Sequence, residues 1–204
     1  TPGSEAGGGK DGIDVYDDNH VFLILRIRPG SNPNFVRTHG VYVEGCCNLI
    51  DAIESYNNGG YGIQIYNGSD NTRAHDNIVR NCRLHNNGGS ANPGGLTLNS
   101  GDNNIAYNNL IYNNINGGGG IDVSYSTTGT KIYNNTVYGN SAAGIAVNNQ
   151  GGRPTQNTEL KNNIVYGNST DIANNGINTL HATNMCQASS AYCAVVGNPA
   201  FVDV

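Results

Sequence analysis

KIYNNTVYGN at residues 131–140 returns as LKNNIVYGN at 160–168, and IAYNNLIYNN at 105–114 is a looser copy of the same phrase. Aligned on their Asn-Asn pairs, the three copies set Asn109, Asn135 and Asn163 in one column at steps of 26 and 28 residues, and Cys82 and Ile53 continue the column upstream. A Gly-apolar-x-apolar phrase opens each unit: GIDV at 12, GVYV at 40, GIQI at 62, GLTL at 95, GIDV at 120 and GIAV at 144. Inside the units apolar residues alternate in short runs bounded by glycine and asparagine. This is the period-two pattern of strands, and no i, i+3, i+4 helical stripe accompanies it.

A strand-only unit of 22 to 33 residues cannot bury its own apolar face and must stack on copies of itself. The same side chain recurs once per unit, as it does when identical strands lie parallel and in register. The expected fold is therefore all-β, a single-stranded right-handed parallel β-helix of about six coils, roughly 29 Å long at ~4.8 Å per coil. Asparagines stacked at a turn can hydrogen-bond along the axis, so Asn109, Asn135 and Asn163 are expected to form a structural ladder.

The chain has 204 residues, enough for one sizeable core. Only 12% are charged although mean hydropathy is −0.42. The polarity comes from uncharged side chains, not from the high net charge of a disordered segment. A net charge of −5 argues against nucleic acid as a partner, because its binders carry a clustered basic face. No apolar run approaches the ~20 residues of a membrane span. Five cysteines without zinc spacing point to an oxidising compartment, hence an extracellular or cell-surface protein. Cys186 and Cys193 are the expected disulfide, while the odd count leaves the pairing of Cys46, Cys47 and Cys82 open. A start at Thr1 rather than Met suits a processed chain.

The phrases NNLIYNN, NNTVYGN and NNIVYGN with their Gly-Ile openings resemble the right-handed β-helix repeat of the pectate-lyase-like superfamily. The resemblance covers roughly residues 12–178, which leaves a lead segment at 1–11 and a disulfide-closed tail at 179–204. The closing GNPAFVDV is similar to the phrase that follows the last coil in bacterial secreted members, and its abrupt end suits a trimmed chain. The superfamily spans lyases, glycosidases, epimerases, tailspikes and adhesins, so the resemblance implies a fold more strongly than an activity. It also implies that a saccharide chain would lie on the parallel-sheet face.

In the Gly-Ile strands the residues between the inward apolar positions face outward. One outward column reads Asp14, Tyr42, Gln64, Thr97, Asp122 and Ala146, and the next Tyr16, Glu44, Tyr66, Asn99, Ser124 and Asn148. Tyrosine rings can cover sugar faces while carboxylates and amides take hydroxyls. Asp14, Tyr16, Tyr42, Glu44, Gln64 and Tyr66 are thus the expected polysaccharide-binding surface. β-Elimination on a uronic-acid glycan needs a base and a charge stabiliser, and Arg37 and His39 are the candidates. DGIDVYDD at 11–18 supplies Asp11, Asp14, Asp17 and Asp18 as candidate calcium ligands, although the spacing is not that of an EF-hand.

Two-carboxylate hydrolysis needs partners ~5–9.5 Å apart. Asp14 and Asp122 stand four coils, or about 19 Å, apart and cannot cooperate, which leaves Asp14 with Glu44. The catalytic phrases of polygalacturonases are missing, so no catalytic residue transfers from a matched motif. A second aromatic column, Tyr56, His85, Tyr112, Tyr138 and Tyr166, reads as a side-chain ladder in preference to a binding platform. The expected function is a polysaccharide-active or polysaccharide-binding protein, a lyase on acidic glycans if an enzyme. The alternative is a structural solenoid, such as a filament, adhesin or spike module, that associates end to end through its exposed strand edges.

Overall fold

The computed structural model describes residues 11–23, 26–27, 38–66, 74–89, 93–150 and 154–200. The chain winds into a β-solenoid with three parallel sheets and, among the described residues, no helix. The first sheet stacks seven strands, Ile13–Val15, Val41–Val43, Ile63–Ile65, Leu96–Asn99, Ile121–Ser124, Ala143–Val147 and Thr170–Asn174. The second stacks another seven, from Val21–Leu23 through Leu49–Asp51 and Lys131–Tyr133 to Leu180–Ala182. The third has eight, from Arg26–Ile27 through Leu110–Tyr112, Thr136–Tyr138 and Ile164–Tyr166 to Met185–Cys186 and Val195–Val196. The winding therefore continues past residue 178, and the bonded Cys186 and Cys193 lie on and beside the last strands of the third sheet.

Every neighbouring pair of strands is parallel and in register, so alternate residues form columns along the axis. The inward columns, such as Val41, Ile63, Leu96, Ile121 and Ile145, are fully or almost fully buried. Each such side chain contributes roughly 1.5–3 kcal/mol of apolar burial.

The Asn-Asn pairs divide their labour. Asn108, Asn134 and Asn162 take left-handed backbone at φ 55°, 54° and 56°, turning the chain from the second sheet to the third. Asparagine tolerates this conformation better than other non-glycine residues. Their successors Asn109, Asn135 and Asn163 turn inward and are buried. Asn135 donates its backbone N–H at 3.0 Å and its side-chain amide at 3.1 Å to Asn163 Oδ1, and Asn163 repeats the pattern onto Asn184 at 3.0 Å in both bonds. Upstream the column becomes apolar, with Ile53 and Cys82 buried.

Two further ladders, which the reading of one column did not separate, occupy the other corners. Asn48, Asn77 and Asn104 stack where the chain enters the second sheet. Asn58, Asn87, Asn114, Asn140 and Asn168 stack where it leaves the third. This last ladder explains the glycine that opens each repeat. A Cβ on Gly62 would lie 2.9 Å from Asn87 Nδ2, and one on Gly144 would lie 2.6 Å from Asn168 Nδ2, so any side chain there would displace a rung.

Candidate functional site

The outward column of the first sheet has the register read from the repeats: Asp14 pairs with Tyr42, Tyr42 with Gln64, Gln64 with Thr97, Thr97 with Asp122 and Asp122 with Ala146. In the early coils these side chains bond to one another. Tyr42 donates its hydroxyl to Glu44 Oε1 at 2.8 Å, and burial, reinforced by Glu44, pushes that hydroxyl above the ordinary tyrosine range. The His39 ring lies 5.9 Å from the Tyr42 ring and 5.6 Å from that of Tyr61. His39 Nδ1 accepts the Tyr61 backbone N–H at 2.9 Å. With that lone pair in use, a neutral ring carries its proton on Nε2, which fits a hydrogen-bond donor or charge stabiliser better than a base.

Asp11 Oδ1 accepts the His39 N–H at 2.5 Å. Burial, with Asp14 alongside, raises the Asp11 carboxyl to about 7. The acidic run does not converge on one point. Asp11 pairs with Asp14, whereas Asp18 Oδ1 caps the Cys46 N–H at 2.7 Å. Calcium takes six to eight oxygens, so Asp11 and Asp14 alone would need oxygens from a ligand or water to hold it. Arg37 lies outside the described residues.

Further along the sheet the surface becomes concave. A groove of about 550 Å³ opens over the strands Leu96–Asn99, Ile121–Ser124 and Ala143–Val147, with Tyr61, Tyr125, Asn99, Asn148 and Gln150 around Asp122. Small residues make the room. Ala146 and Ala173 replace larger side chains in the outward column, and Gly94 and Gly119 on the rim approach so closely that a Cβ on Gly94 would lie 2.2 Å from the Gly119 carbonyl oxygen. The Tyr125 ring meets that of Tyr66 edge-on at 6.0 Å, so aromatic surface continues from the early coils into the groove. Gln64 Oε1, beside Thr97, is buried and has no hydrogen-bond partner among the described residues.

The hydrogen bonds at Asp122 count protons. Ser124 Oγ stands 2.8 Å from Asn99 Oδ1 and 2.8 Å from Asp122 Oδ2, and the Ser124 backbone N–H also points at Asn99 Oδ1 at 3.1 Å. That N–H fixes the Asn99 atom as oxygen, and the single hydroxyl hydrogen of Ser124 can serve Asn99 Oδ1 or Asp122 Oδ2 but not both. With that hydrogen on Asn99 the contact with Asp122 needs a hydrogen on the carboxyl; with it on Asp122 the carboxyl accepts. Asn148 donates to the other oxygen, Oδ1, at 2.9 Å. Burial drives the Asp122 carboxyl upward, against hydrogen bonds from Ser124, Asn148, Asn99 and Thr97 that draw it down. The nearby Tyr61 hydroxyl is raised to about 12, chiefly by burial and also by Asp122.

Sequence reasoning placed the site on Asp14 to Tyr66 and set Asp122 aside for its distance from Asp14. The overlooked signal was the run GGGGID at 117–122 facing Ala143 and Ala146, where small residues around an acid mark a concavity. A second cleft of about 370 Å³ lies between residues 168–172 and 187–190. Its carboxylate, Asp171, already accepts the Gln187 N–H at 2.7 Å.

The chain belongs to the right handed beta helix region family, which it matches over residues 11–191. No curated protein matches its sequence significantly. Among solved structures it is similar to the A-module of the Azotobacter vinelandii mannuronan C-5 epimerase AlgE6, with TM-score 0.62 and 16% identity over 90% of this chain and 57% of that one. It is similar to the periplasmic alginate epimerase AlgG, with TM-score 0.67 and 17% identity over 85% and 42%. It also resembles pectate lyase Pel9A, with TM-score 0.54 and 18% identity over 73% and 38%. At these identities the likeness is one of fold, and the chain spans 38% to 57% of the lengths of these three proteins.

Proposed function

We propose that the protein is an extracellular or periplasmic polysaccharide-active β-helix protein. It would bind an acidic, uronic-acid glycan across the strands of the first sheet and exchange the proton α to a uronate carboxyl. The observation that carries this reading is the groove inventory: one buried carboxyl, Asp122, flanked by Tyr61 and Tyr125, with no second carboxylate among the lining residues. Hydrolysis by paired carboxylates lacks its second member there. A single carboxyl whose burial favours the protonated form, beside phenol groups, suits proton transfer, ending either in β-elimination or in delivery of a proton to the opposite face. A neutral floor also spares a polyanion the repulsion of an ionised aspartate. In this reading Tyr125 takes the α-proton on its phenol oxygen after giving up its own proton to solvent, Asp122 is the proton donor, His39 and Arg37 stabilise charge, and Tyr42, Glu44, Gln64 and Tyr66 with Asp14 and Tyr16 hold neighbouring sugars. Lyases and epimerases that share the fold at low identity fit the same chemistry. Calcium, if used, would sit between Asp11, Asp14 and a glycan carboxylate, with Asp17 and Asp18 outside its shell.

A non-catalytic solenoid stacked end to end is the second reading, favoured by exposed apolar residues at both ends: Val21 and Leu23 at one, Leu180, Val195 and Val196 at the other. One experiment separates the two. The full chain is incubated in D2O with polygalacturonate, alginate and glycosaminoglycans, with calcium and with chelator. Unsaturated uronate is read by ultraviolet absorbance and deuterium at the uronate α-carbon by NMR. Either signal supports the first reading, and a signal lost to chelator adds calcium. Neither signal, with no reducing ends released, overturns it in favour of the solenoid.

A further inference from the structure

The turn after the strand Val41–Val43 carries a second set of reactive groups. Cys46 and Cys47 are adjacent in sequence and bonded to each other. The next coil brings up His75, whose carbonyl oxygen accepts the Cys47 N–H at 3.0 Å. Among the described residues this is the one set of three potential metal-ligating side chains whose ligand atoms all lie within 4.8 Å of one another. Cys47 is exposed, Cys46 half-buried and the His75 side chain 38% exposed, so solvent reaches all three.

We infer that Cys46, Cys47 and His75 form a thiol-gated binding site for a thiophilic d10 cation such as Zn2+, closed while the cysteines are joined and opened by reduction. Two sulfurs and an imidazole are three of the four ligands of a tetrahedral zinc site, and the exposed side leaves the fourth position to water or an external ligand. The imidazole is already oriented. His75 Nδ1 contacts Asp76 Oδ2 at 2.6 Å, the carboxylate–histidine arrangement that fixes the tautomer of metal-bound histidines and leaves Nε2 as the ligating lone pair. Asp76 is itself placed by its backbone N–H, which donates to the Asp102 carbonyl oxygen at 2.9 Å.

The gate is a two-electron step. A thiolate of an external dithiol attacks one sulfur, the Cys46–Cys47 bond breaks, and a second attack releases the reductant as its disulfide, leaving two thiols that each take a proton. The cation displaces those protons when it binds. The buried Cys82 thiol does not take part. Its sulfur contacts the Arg80 carbonyl oxygen at 3.1 Å, inside the coil.

The test uses the full chain, reduced with a dithiol that is then removed under nitrogen, and titrated with Cd2+ and with Zn2+ against a chromophoric chelator. The expected result is one cation per reduced chain with thiolate-to-cadmium charge-transfer absorption, and no such band for the oxidised chain. Cys46→Ser/Cys47→Ser should lose the site while keeping Cys82, Cys186 and Cys193, which controls for every other thiol. His75→Gln should weaken binding at least tenfold, and Asp76→Asn roughly 10- to 100-fold. Retention of the cation by the double variant, or no cation on the reduced parent chain, overturns the inference. Should the double variant fail to fold, His75→Gln and Asp76→Asn decide it, because a purely structural disulfide predicts that neither changes affinity.

Discussion

Asn109 directs both its backbone N–H and its side-chain amide, each at 3.0 Å, to Oδ1 of Asn135 one coil on. Asn135→Ala removes that oxygen and also the amide that reaches the Ala106 carbonyl at 3.0 Å, leaving buried groups of the preceding coil unpaired. The expected cost is about 2–4 kcal/mol in chemical denaturation. Its neighbour Asn134, exposed and left-handed at φ 54°, should tolerate Asn134→Gly within about 1 kcal/mol. Equal losses would remove the ladder as the reason for the Asn-Asn pair.

The rings of Tyr56, His85, Tyr112 and Tyr138 stack at centroid spacings of 5.1, 4.7 and 5.1 Å, with adjacent planes within 10° of parallel. Each such pair is worth about 0.5–1.5 kcal/mol beyond its buried area. Tyr112→Ala should therefore lower the melting temperature and leave glycan binding intact. Tyr42→Ala, on the other sheet, should weaken glycan binding and cost less stability. The reverse pattern in calorimetry and glycan titration would move the binding face to the third sheet.

The coils were legible because a solenoid writes each structural requirement once per turn. Glycine before the first strand, a left-handed residue at each corner and an inward amide behind it all recur at the repeat spacing. The groove was not legible, because it is a local departure from that repeat. Ala146 and Asp122 occupy the same outward column as Tyr42, and periodicity does not say which rung is hollow. The columns do set Asn99 beside Ser124, but spacing does not show that Ser124 also reaches Asp122, or that His75 comes beside Cys46 and Cys47 from the next coil.

Asp11 sets a pH dependence. Its carboxyl is raised from 3.8 to about 7, so between those values the folded chain holds a proton that the unfolded chain has released. Stability should fall as pH climbs through that window and level off above it. Asp51 acts in the opposite sense. Hydrogen bonds from Arg80 and Asn81 hold it below the ordinary carboxylate range, so its contribution is present above that range and lost on acidification. Asp11→Asn should flatten the decline towards neutral pH in thermal scans and leave the acid limb unchanged. An unaltered neutral slope would show that Asp11 ionises normally.

Asp122→Asn isolates the proton from the shape. If Oδ2 carries hydrogen towards Ser124, an amide nitrogen in its place donates to the same hydroxyl, and the remaining oxygen still accepts from Asn148. The variant should then fold with stability within about 1 kcal/mol of the parent and keep its glycan affinity. It has no proton to give, so turnover on the responsive polyuronate should fall roughly 10²- to 10⁴-fold. The alternative charge state makes a different forecast. An ionised Asp122 would take the Ser124 hydrogen, and an amide nitrogen facing that hydroxyl or Asn148 would then break a buried contact at a cost of several kcal/mol. Denaturation of parent and variant at neutral pH distinguishes the two, and a large loss would withdraw Asp122 as the proton donor.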